Sequence, residues 1–193
     1  MKLYFATNNQ HKLQEAKAIL HEVGIDVLSL SDAGISLSVE ETGDTFHDNA
    51  FLKAQALYEI LQEPCFADDS GLEVFALHGE PGVRSSRYAG EEGNSDKNII
   101  KLLEELKQVE DRRARFVTVV CLILDGVPYF FEGEVRGKII RERRGTGGFG
   151  YDSVFVPEGY EKTFAEMTSE EKNKISHRRN ALMLMKDFLL EKA

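Results

Sequence analysis

The sequence contains few cysteines. It has two, Cys65 and Cys121, and both lie inside apolar runs. No cysteine–histidine cluster has the spacing of a zinc site, which excludes the common structural zinc folds. We therefore expect two reduced thiols in the core of a cytoplasmic protein.

Long apolar runs are also missing. No stretch approaches the roughly 20 apolar residues that a membrane helix requires. The N-terminal segment MKLYFATNN reaches a polar turn too early for a secretory signal peptide. We expect no membrane partner.

Positive charge is scarce as well. The chain has 24 Lys and Arg against 33 Asp and Glu, so its formal net charge is -9. Such a protein has no general attraction for a nucleic acid polymer. A small anion could still bind, but only through a local cluster of positive groups or a metal ion.

The remaining composition is that of a globular protein, with 42% apolar and 30% charged residues among 193. That length suits a single domain over residues 1–193, or one domain with an additional lobe. Residues 2–6 read as a buried strand, residues 13–20 as an amphipathic helix and residues 26–30 as a second strand. This β-α-β opening predicts an α/β fold whose mixed or parallel sheet is flanked by helices.

Later segments extend this pattern. A helix is expected after the acidic loop 38–45, and a short strand, CFA, before the polar sequence DDSG at 68–71. Two apolar runs around Asp125 and Gly126 predict a hairpin. The hairpin region, roughly residues 115–145, is a candidate second lobe, with a cleft between the lobes. Residues 168–192 have a helical pattern, and Ser176 is a candidate cap for a new helix within it.

The segment TNNQHK, residues 7–12, falls between the first strand and the first helix. Backbone amides at such a turn, together with the helix dipole, favour an anion. Asn8 and Asn9 suit tight turns and caps, and Lys12 can reach a phosphate. The alternative is an ordinary solvated turn.

Four carboxylates form an acidic set: Glu40, Glu41, Asp68 and Asp69. If the two loops that carry them converge, a few hard oxygen ligands suit Mg²⁺, which also keeps waters and takes phosphate oxygens. The alternative for the glutamates is a solvated loop. A solvated loop explains the aspartates less well than the glutamates, because strand ends line ligand crevices in α/β folds.

The segment GTGGFGYD, residues 145–152, is a glycine-rich loop. Its glycines permit a close approach to a ligand, and Phe149 and Tyr151 could stack on a planar base. Asp152 could accept a hydrogen bond from a ring N–H. The loop lacks the Lys-Ser/Thr of a P-loop. A mobile surface loop is the alternative.

A basic cluster surrounds the expected helix start at Ser176. Its members are Lys172, His177, Arg178 and Arg179. Cations near a helix N-terminus are electrostatically unfavourable, so the cluster indicates an anionic or acceptor-rich ligand. A solvated basic face is the alternative, as it is for the isolated Lys53.

Taken together, these motifs resemble those of the inosine triphosphate pyrophosphatase family, also called Ham1-like. TNNQHK is similar to the family's Thr-Gly-Asn-x-x-Lys, and ADDSGL to its acidic strand-end motif. GTGGFGYD resembles its base-binding loop, and SHRRNAL its Ser-His-Arg-x-x-Ala-Leu signature. The segments EETG and NAFLKA also fit, and the motifs follow the family's order from residue 7 to 182.

The resemblance implies an elongated, two-lobed α/β fold with a central mixed sheet, a substrate cleft between the lobes, and a homodimer. It implies hydrolysis of inosine, deoxyinosine and xanthosine triphosphates (ITP, dITP and XTP) to the monophosphate and pyrophosphate. The implied role is removal of deaminated purines from the nucleotide pool.

The resemblance also implies roles for residues. Asp69 would be the general base, Lys53 would assist at the phosphates, and Glu40 with Asp69 would hold Mg²⁺, with Glu41 as the rival ligand. The phosphate-binding residues would be Thr7, Asn8, Asn9, Gln10, His11, Lys12 and Ser70. The base-binding residues would be Phe149, Gly150, Tyr151, Asp152, Lys172, His177 and Arg178.

The chain departs from the family pattern at Asn8, where glycine is usual. Asparagine tolerates a positive φ, so we expect the turn to survive. Two other functions stay open: a Maf-like pyrophosphatase acting on modified pyrimidine or guanine nucleotides, and a non-catalytic nucleotide-binding or RNA-binding protein.

Overall fold

The computed structural model describes residues 1–192 as alternating strands and helices. The strands are β1 (Lys2–Phe5), β2 (Asp26–Leu28), β3 (Cys65–Val74), β4 (Arg113–Leu124), β5 (Val127–Ile139) and β6 (Phe155–Pro157). The helices are α1 (Gln10–His21), α2 (Phe46–Leu61), α3 (Ser95–Glu105), α4 (Ser169–Asn173) and α5 (His177–Lys192). Short 3₁₀ turns occupy Phe75–Leu77, Gly82–Arg87 and Asp152–Val154.

The six strands form one sheet in the order β2-β1-β3-β4-β5-β6. Strand β1 pairs in parallel with both β2 and β3, whereas β5 and β6 are antiparallel, so the sheet is mixed. The predicted α/β class and the β-α-β opening are therefore confirmed.

The predicted hairpin is the connection between β4 and β5. Asp125 has φ 51° and Gly126 has φ 79°. Positive φ at both central residues is the conformation of a type I′ turn, whose twist matches that of the flanking strands. The Asp-Gly pair therefore specified this turn locally.

Strand β3 differs from the prediction. The sequence reading ended a strand at Ala67 and placed Asp68 and Asp69 in a loop, but β3 continues from Cys65 to Val74. Both aspartates are buried, at 1% and 4% exposure. Lys12 and Arg178 neutralise Asp68, and Asn49 bonds Asp69. The two carboxyl groups therefore do not require the solvent that a loop would give them.

The C-terminal segment forms two helices, in agreement with the predicted new helix at Ser176. Helix α4 has a capping box in which Thr168 and Glu171 bond reciprocally. Helix α5 begins at His177, immediately after Ser176, where a new helix was predicted.

The chain divides into two compact units. The first contains Met1–Asp69, Thr118–Gly133 and His177–Ala193, and the second contains Ser70–Val117 and Glu134–Ser176. The first unit's core includes Leu3, Phe5, Ile19 and Met185, and the second unit's includes Leu102, Phe116, Phe155 and Phe164. The assignment of one domain with a hairpin lobe stays a prediction.

Cys65 and Cys121 are both buried, unpaired thiols, as predicted. Burial raises the pKa of each thiol to about 12. Across residues 1–192, none of the helices is both long enough and apolar enough to cross a membrane.

Candidate active site

The turn between β1 and α1 is organised by its own polar side chains. Asn9 caps α1, because its Oδ1 accepts a hydrogen bond from the Lys12 N–H at 3.1 Å. The Thr7 Oγ1 accepts from the Asn9 N–H at 3.1 Å, and the Asn8 Nδ2 donates to the Leu37 carbonyl at 2.7 Å. Gln10 and His11 begin the helix as exposed residues.

Asn8, which stands where the family motif has glycine, does not have a positive φ. Within residues 1–192, the non-glycine residues with positive φ are Gln62, His78 and Asp125. The β1–α1 turn forms, as expected, but it does not use the positive φ that asparagine was expected to tolerate at this position.

Asp68 is neutralised by two cations of the first unit. Its Oδ1 lies 3.2 Å from the Lys12 Nζ, and its Oδ2 accepts from the Arg178 Nε at 3.0 Å. Burial alone would raise the pKa of Asp68, but Lys12 and Arg178, with a contribution from Lys53, hold it well below its usual range. Asp68 is therefore a buried carboxylate that stays ionised.

Glu15 completes this ion network, and the sequence analysis did not identify it. Its Oε2 lies 2.7 Å from the Arg178 Nη1, and Glu15 is 7% exposed. A signal was present, because Glu15 and the buried Ile19 are four residues apart on one face of α1. A carboxylate on an apolar helical face requires a buried partner.

Asp69 is held by different residues. Its Oδ2 accepts a hydrogen bond from the Asn49 Nδ2 at 3.1 Å, and its carboxyl also forms a hydrogen bond with Glu41. Burial raises the pKa of Asp69 to about 7, and the charge of Glu41 adds to this effect, while Lys53 and Lys12 oppose it. The carboxyl groups of Asp69 on β3 and Glu41 in the acidic loop thus face each other.

The acidic loop, Glu40–Gly43, is also tied to helix α2. The Lys53 Nζ lies 3.3 Å from the Glu41 Oε1. Burial would raise the pKa of Glu41, but Lys53 and Lys12 lower it on balance. Glu40 is exposed.

The donor set in this region fits a magnesium ion better than a zinc ion. Among the described residues, no three His, Cys, Asp or Glu side chains group in a way that could hold a metal. The close pair of Glu41 and Asp69 offers hard oxygen ligands. Mg²⁺ typically takes one or two carboxylates and completes its shell with waters and phosphate oxygens.

The glycine-rich loop lies in the second unit and is ordered around Asp152. The Asp152 Oδ2 accepts from the Phe149 N–H at 3.1 Å and from the Lys172 Nζ at 2.8 Å. The same Lys172 Nζ lies 4.6 Å from the centre of the Phe149 ring. Gly148 has φ 67°, and a Cβ there would lie 2.2 Å from the Asp152 Oδ2, so another residue would be strained and would displace the Asp152 carboxylate.

The two aromatic residues of this loop have different environments. Phe149 is half-buried, whereas Tyr151 is only 5% exposed and belongs to the core of the second unit. The Tyr151 hydroxyl donates to the Ser85 carbonyl at 2.6 Å. Phe149 therefore presents a ring at the surface of this loop, and Tyr151 anchors the loop to the core.

The predicted basic cluster is divided between carboxylates. Lys172 pairs with Asp152, Arg178 with Asp68 and Glu15, and Arg179 with Glu22 at 3.1 Å. His177 and Arg178 are buried, and Ser70 is half-buried on β3. These cations are therefore not a solvated face.

A sequence profile of the Ham1 family matches residues 3–188. The chain belongs to the Ham1 family. A dITP/XTP pyrophosphatase of Porphyromonas gingivalis is 52% identical over 190 residues, which cover 98% of this chain and 97% of that protein. A dITP/XTP pyrophosphatase of Aquifex aeolicus is 52% identical over 191 residues, covering 94% of this chain and 93% of the relative.

Solved structures agree with this family assignment. The Staphylococcus aureus Ham1 protein superposes with a TM-score of 0.88 at 43% identity, with 100% of both chains covered. A Coxiella burnetii HAM1 protein gives a TM-score of 0.88 at 38% identity, with 99% of both chains covered. The Ham1 fold is therefore shared over the whole chain.

Proposed function

We propose that this protein hydrolyses ITP, dITP and XTP to the nucleoside monophosphate and pyrophosphate, and thereby removes deaminated purines from the nucleotide pool. It is a nucleoside triphosphate pyrophosphatase of the Ham1 family, as its relatives named dITP/XTP pyrophosphatase support. The observation that carries the proposal is the buried Asp69, which is held by Asn49 and faces Glu41 beside Lys53.

Asp69 is the proposed general base. Its carboxylate accepts a proton from a water molecule as the water oxygen forms a bond to the α-phosphorus. The bond between the α-phosphorus and the bridging oxygen breaks, and pyrophosphate leaves with the bonding electrons. Because Asn49 restrains the carboxylate, this proton acceptor is positioned before substrate arrives.

The phosphates are assigned to the β1–α1 turn and to nearby lysines. The first turn of α1 directs backbone N–H groups and the positive end of its dipole toward an anion. Lys12 and Lys53 add positive charge, and Lys53 acts at the reacting phosphate. The full proposed set is Thr7, Asn8, Asn9, Gln10, His11, Lys12, Lys53 and Ser70.

Mg²⁺ is the proposed cofactor, held by Asp69 and one glutamate of the acidic loop. When bound, it would neutralise negative charge on the phosphates. The resemblance assigns Glu40 to this role, whereas Glu41 is the residue in contact with Asp69. Glu40→Gln and Glu41→Gln separate these assignments, because only loss of the ligand should raise the Mg²⁺ concentration required for half-maximal activity.

The base is assigned to Phe149, Gly150, Tyr151, Asp152, Lys172, His177 and Arg178. The ring of Phe149 supplies a stacking surface, and Asp152 is held by Lys172 and the Phe149 N–H. Inosine and xanthosine carry an acceptor oxygen at C6, where adenine carries an amino donor. Donors such as His177 would face an unmatched amino group in adenine, and such mismatches can be worth several kcal/mol.

The test is pyrophosphate release from dITP, XTP, dGTP and dATP, with and without Mg²⁺. We expect release from dITP and XTP alone, and Asp69→Asn should reduce it by about 10²- to 10⁴-fold. Asp26→Asn is the matched control, because Asp26 is exposed on β2. Release from all four would contradict the base assignment, and release from none would contradict the proposed function.

A homodimer and a cytoplasmic location are further proposals, supported by the family resemblance and by the two reduced thiols. Sedimentation equilibrium should give twice the chain mass of 21.8 kDa. A mass equal to one chain across the concentration range would contradict the dimer.

A further inference from the structure

Asn49 is a polar side chain near the proposed metal ligands whose amide oxygen and amide nitrogen are both hydrogen-bonded. It is fully buried, at 0% exposure, on helix α2. Its Oδ1 accepts from the Gly43 N–H at 2.8 Å, and its Nδ2 lies 3.5 Å from the Gly43 carbonyl and 3.1 Å from the Asp69 Oδ2. The side-chain amide therefore pairs with the backbone N–H and C=O of Gly43 in the acidic loop and with the carboxylate of Asp69.

The orientation of this amide follows from its partners. A reversed amide would direct its NH₂ group at the Gly43 N–H and its oxygen at the Asp69 carboxylate, which would give two repulsive contacts. Both amide hydrogens are engaged by acceptors in the observed orientation. Asn49 is thus fixed between loop and strand.

Gly43 allows the acidic loop to lie this close to helix α2. A Cβ at Gly43 would lie 2.5 Å from the Asp48 Cβ and 2.7 Å from the Asn49 Oδ1. These distances are too short for a methyl group, so any side chain would displace the loop from the helix. The close approach of the loop therefore depends on both residues.

Helix α3 provides a comparison within the same chain. Asn49 is the fourth residue of α2, and Asn98 is the fourth residue of α3. Asn98 is also buried, accepts from the Ala89 N–H at 2.8 Å and donates to the Ser86 carbonyl at 3.0 Å. Both asparagines hold a preceding loop, but Asn98 bonds the backbone groups of Ala89 and Ser86, whereas Asn49 also binds Asp69.

We propose that Asn49 is a positioning residue that holds the acidic loop Glu40–Gly43 against Asp69 and so assembles the divalent cation site. This inference rests on the proposed function, because the cation is the one that the reaction requires. Asn49 itself touches neither the phosphates nor the cation in this role. It acts by fixing the separation of the carboxylates that do.

The experiment measures cation binding without substrate. Mn²⁺ is titrated onto the protein and followed by its enhancement of water proton relaxation. We expect Asn49→Ala to weaken Mn²⁺ binding by about 10- to 100-fold, as removal of a hydrogen-bond partner of a metal ligand does elsewhere. Asn98→Ala removes a chemically similar loop contact and should leave Mn²⁺ affinity unchanged.

A second variant keeps the test decisive if Asn49→Ala does not fold. Gly43→Ala retains Asn49 but displaces the loop, and it should weaken Mn²⁺ binding to a similar degree. Combining the two substitutions should add little, because both break the same contact. High Mg²⁺ should partly restore pyrophosphate release to either variant.

Unchanged Mn²⁺ affinity in folded Asn49→Ala, or equal losses in Asn49→Ala and Asn98→Ala, would overturn the inference. These outcomes leave the proposed function intact if the wild-type protein still releases pyrophosphate from dITP. Conversely, an inactive wild-type protein whose Mn²⁺ affinity is lowered by Asn49→Ala would contradict the proposed function alone.

Discussion

Arg178 shows how the sequence can point to a residue while the partners of that residue stay hidden. The sequence places it beside His177 in a basic cluster. In the structure its guanidinium binds Asp68 and Glu15, and it is 1% exposed. These carboxylates raise the pKa of Arg178 even though burial opposes this. Its charge therefore stabilises Asp68 before any ligand is considered.

A matched pair of variants tests this account. Glu15→Gln removes a buried partner of Arg178 and should lower the free energy of unfolding by about 3 kcal/mol. Glu22→Gln removes the exposed partner of Arg179, a pair that links the residue after α1 to α5, and should cost less than about 1 kcal/mol. Urea unfolding measures both values. Equal losses in the two variants would contradict the importance of burial.

Alkylation of the thiols tests the electrostatics of the first unit's core. Because burial raises the pKa of Cys65 and Cys121 to about 12, iodoacetamide should barely label the folded protein at pH 8. Labelling should increase with pH, and both thiols should react once the chain is unfolded. Mass spectrometry counts the adducts. Rapid labelling of the folded protein at pH 8 would disprove the burial of these thiols.

The same thiols have a consequence for stability in alkali. Their folded pKa lies above the ordinary value of 9.0, so the folded state retains protons that the unfolded state releases. This contribution to stability is complete below pH 9 and should be lost progressively as the pH rises toward 12.

At the scale of elements, the approach of helix α5 to strand β5 is set by a missing side chain. A Cβ at Gly133 would lie 2.3 Å from the His177 carbonyl oxygen and 2.4 Å from the Ala181 nitrogen. Both are backbone atoms, so neither can rotate away. The helix that carries His177 and Arg178 is therefore positioned by a glycine in the facing strand.

Gly133→Ala should displace α5 and destabilise the protein by about 3 kcal/mol. Gly24→Ala is the control, because a Cβ there meets nothing within 4 Å and only its φ of 76° is unfavourable. That substitution should cost about 1 kcal/mol. Thermal and urea unfolding compare the two, and a mild effect at Gly133 would show that the helix can shift without cost.

At the scale of the whole molecule, charge is distributed unevenly. The net charge is -9, yet Lys12 and Lys53 lie beside the carboxylates of the proposed site. This pattern suits a small phosphate-bearing substrate that a few lysines can neutralise. A long polyanion would meet the acidic remainder of the surface.

We therefore expect no binding to single-stranded RNA at about 0.15 M salt, where non-specific nucleic-acid affinity depends on many phosphate contacts. Fluorescence anisotropy of a labelled oligonucleotide measures this. Micromolar binding with steep salt dependence would favour the RNA-binding alternative raised by the sequence.

Much of the fold and the family could be predicted from the sequence because the responsible signals are local. Hydrophobic periodicity specified the β-α-β opening, and the Asp-Gly pair specified the type I′ hairpin turn. The boundary of β3 was not predictable in this way. Two adjacent aspartates indicate a loop unless their partners are known, which are Lys12 and Arg178 for Asp68 and Asn49 for Asp69.

The sequence by itself determined which residues belong to the motifs, their order along the chain and, through them, the Ham1 family. Only the tertiary structure decided which carboxylate pairs with which cation. Arg178 is separated from Asp68 by 110 residues and from Glu15 by 163, and Asp69 is 20 residues from Asn49. Neither periodicity nor composition specifies pairs so far apart in the sequence, because these pairs form only when elements that are remote along the chain pack together.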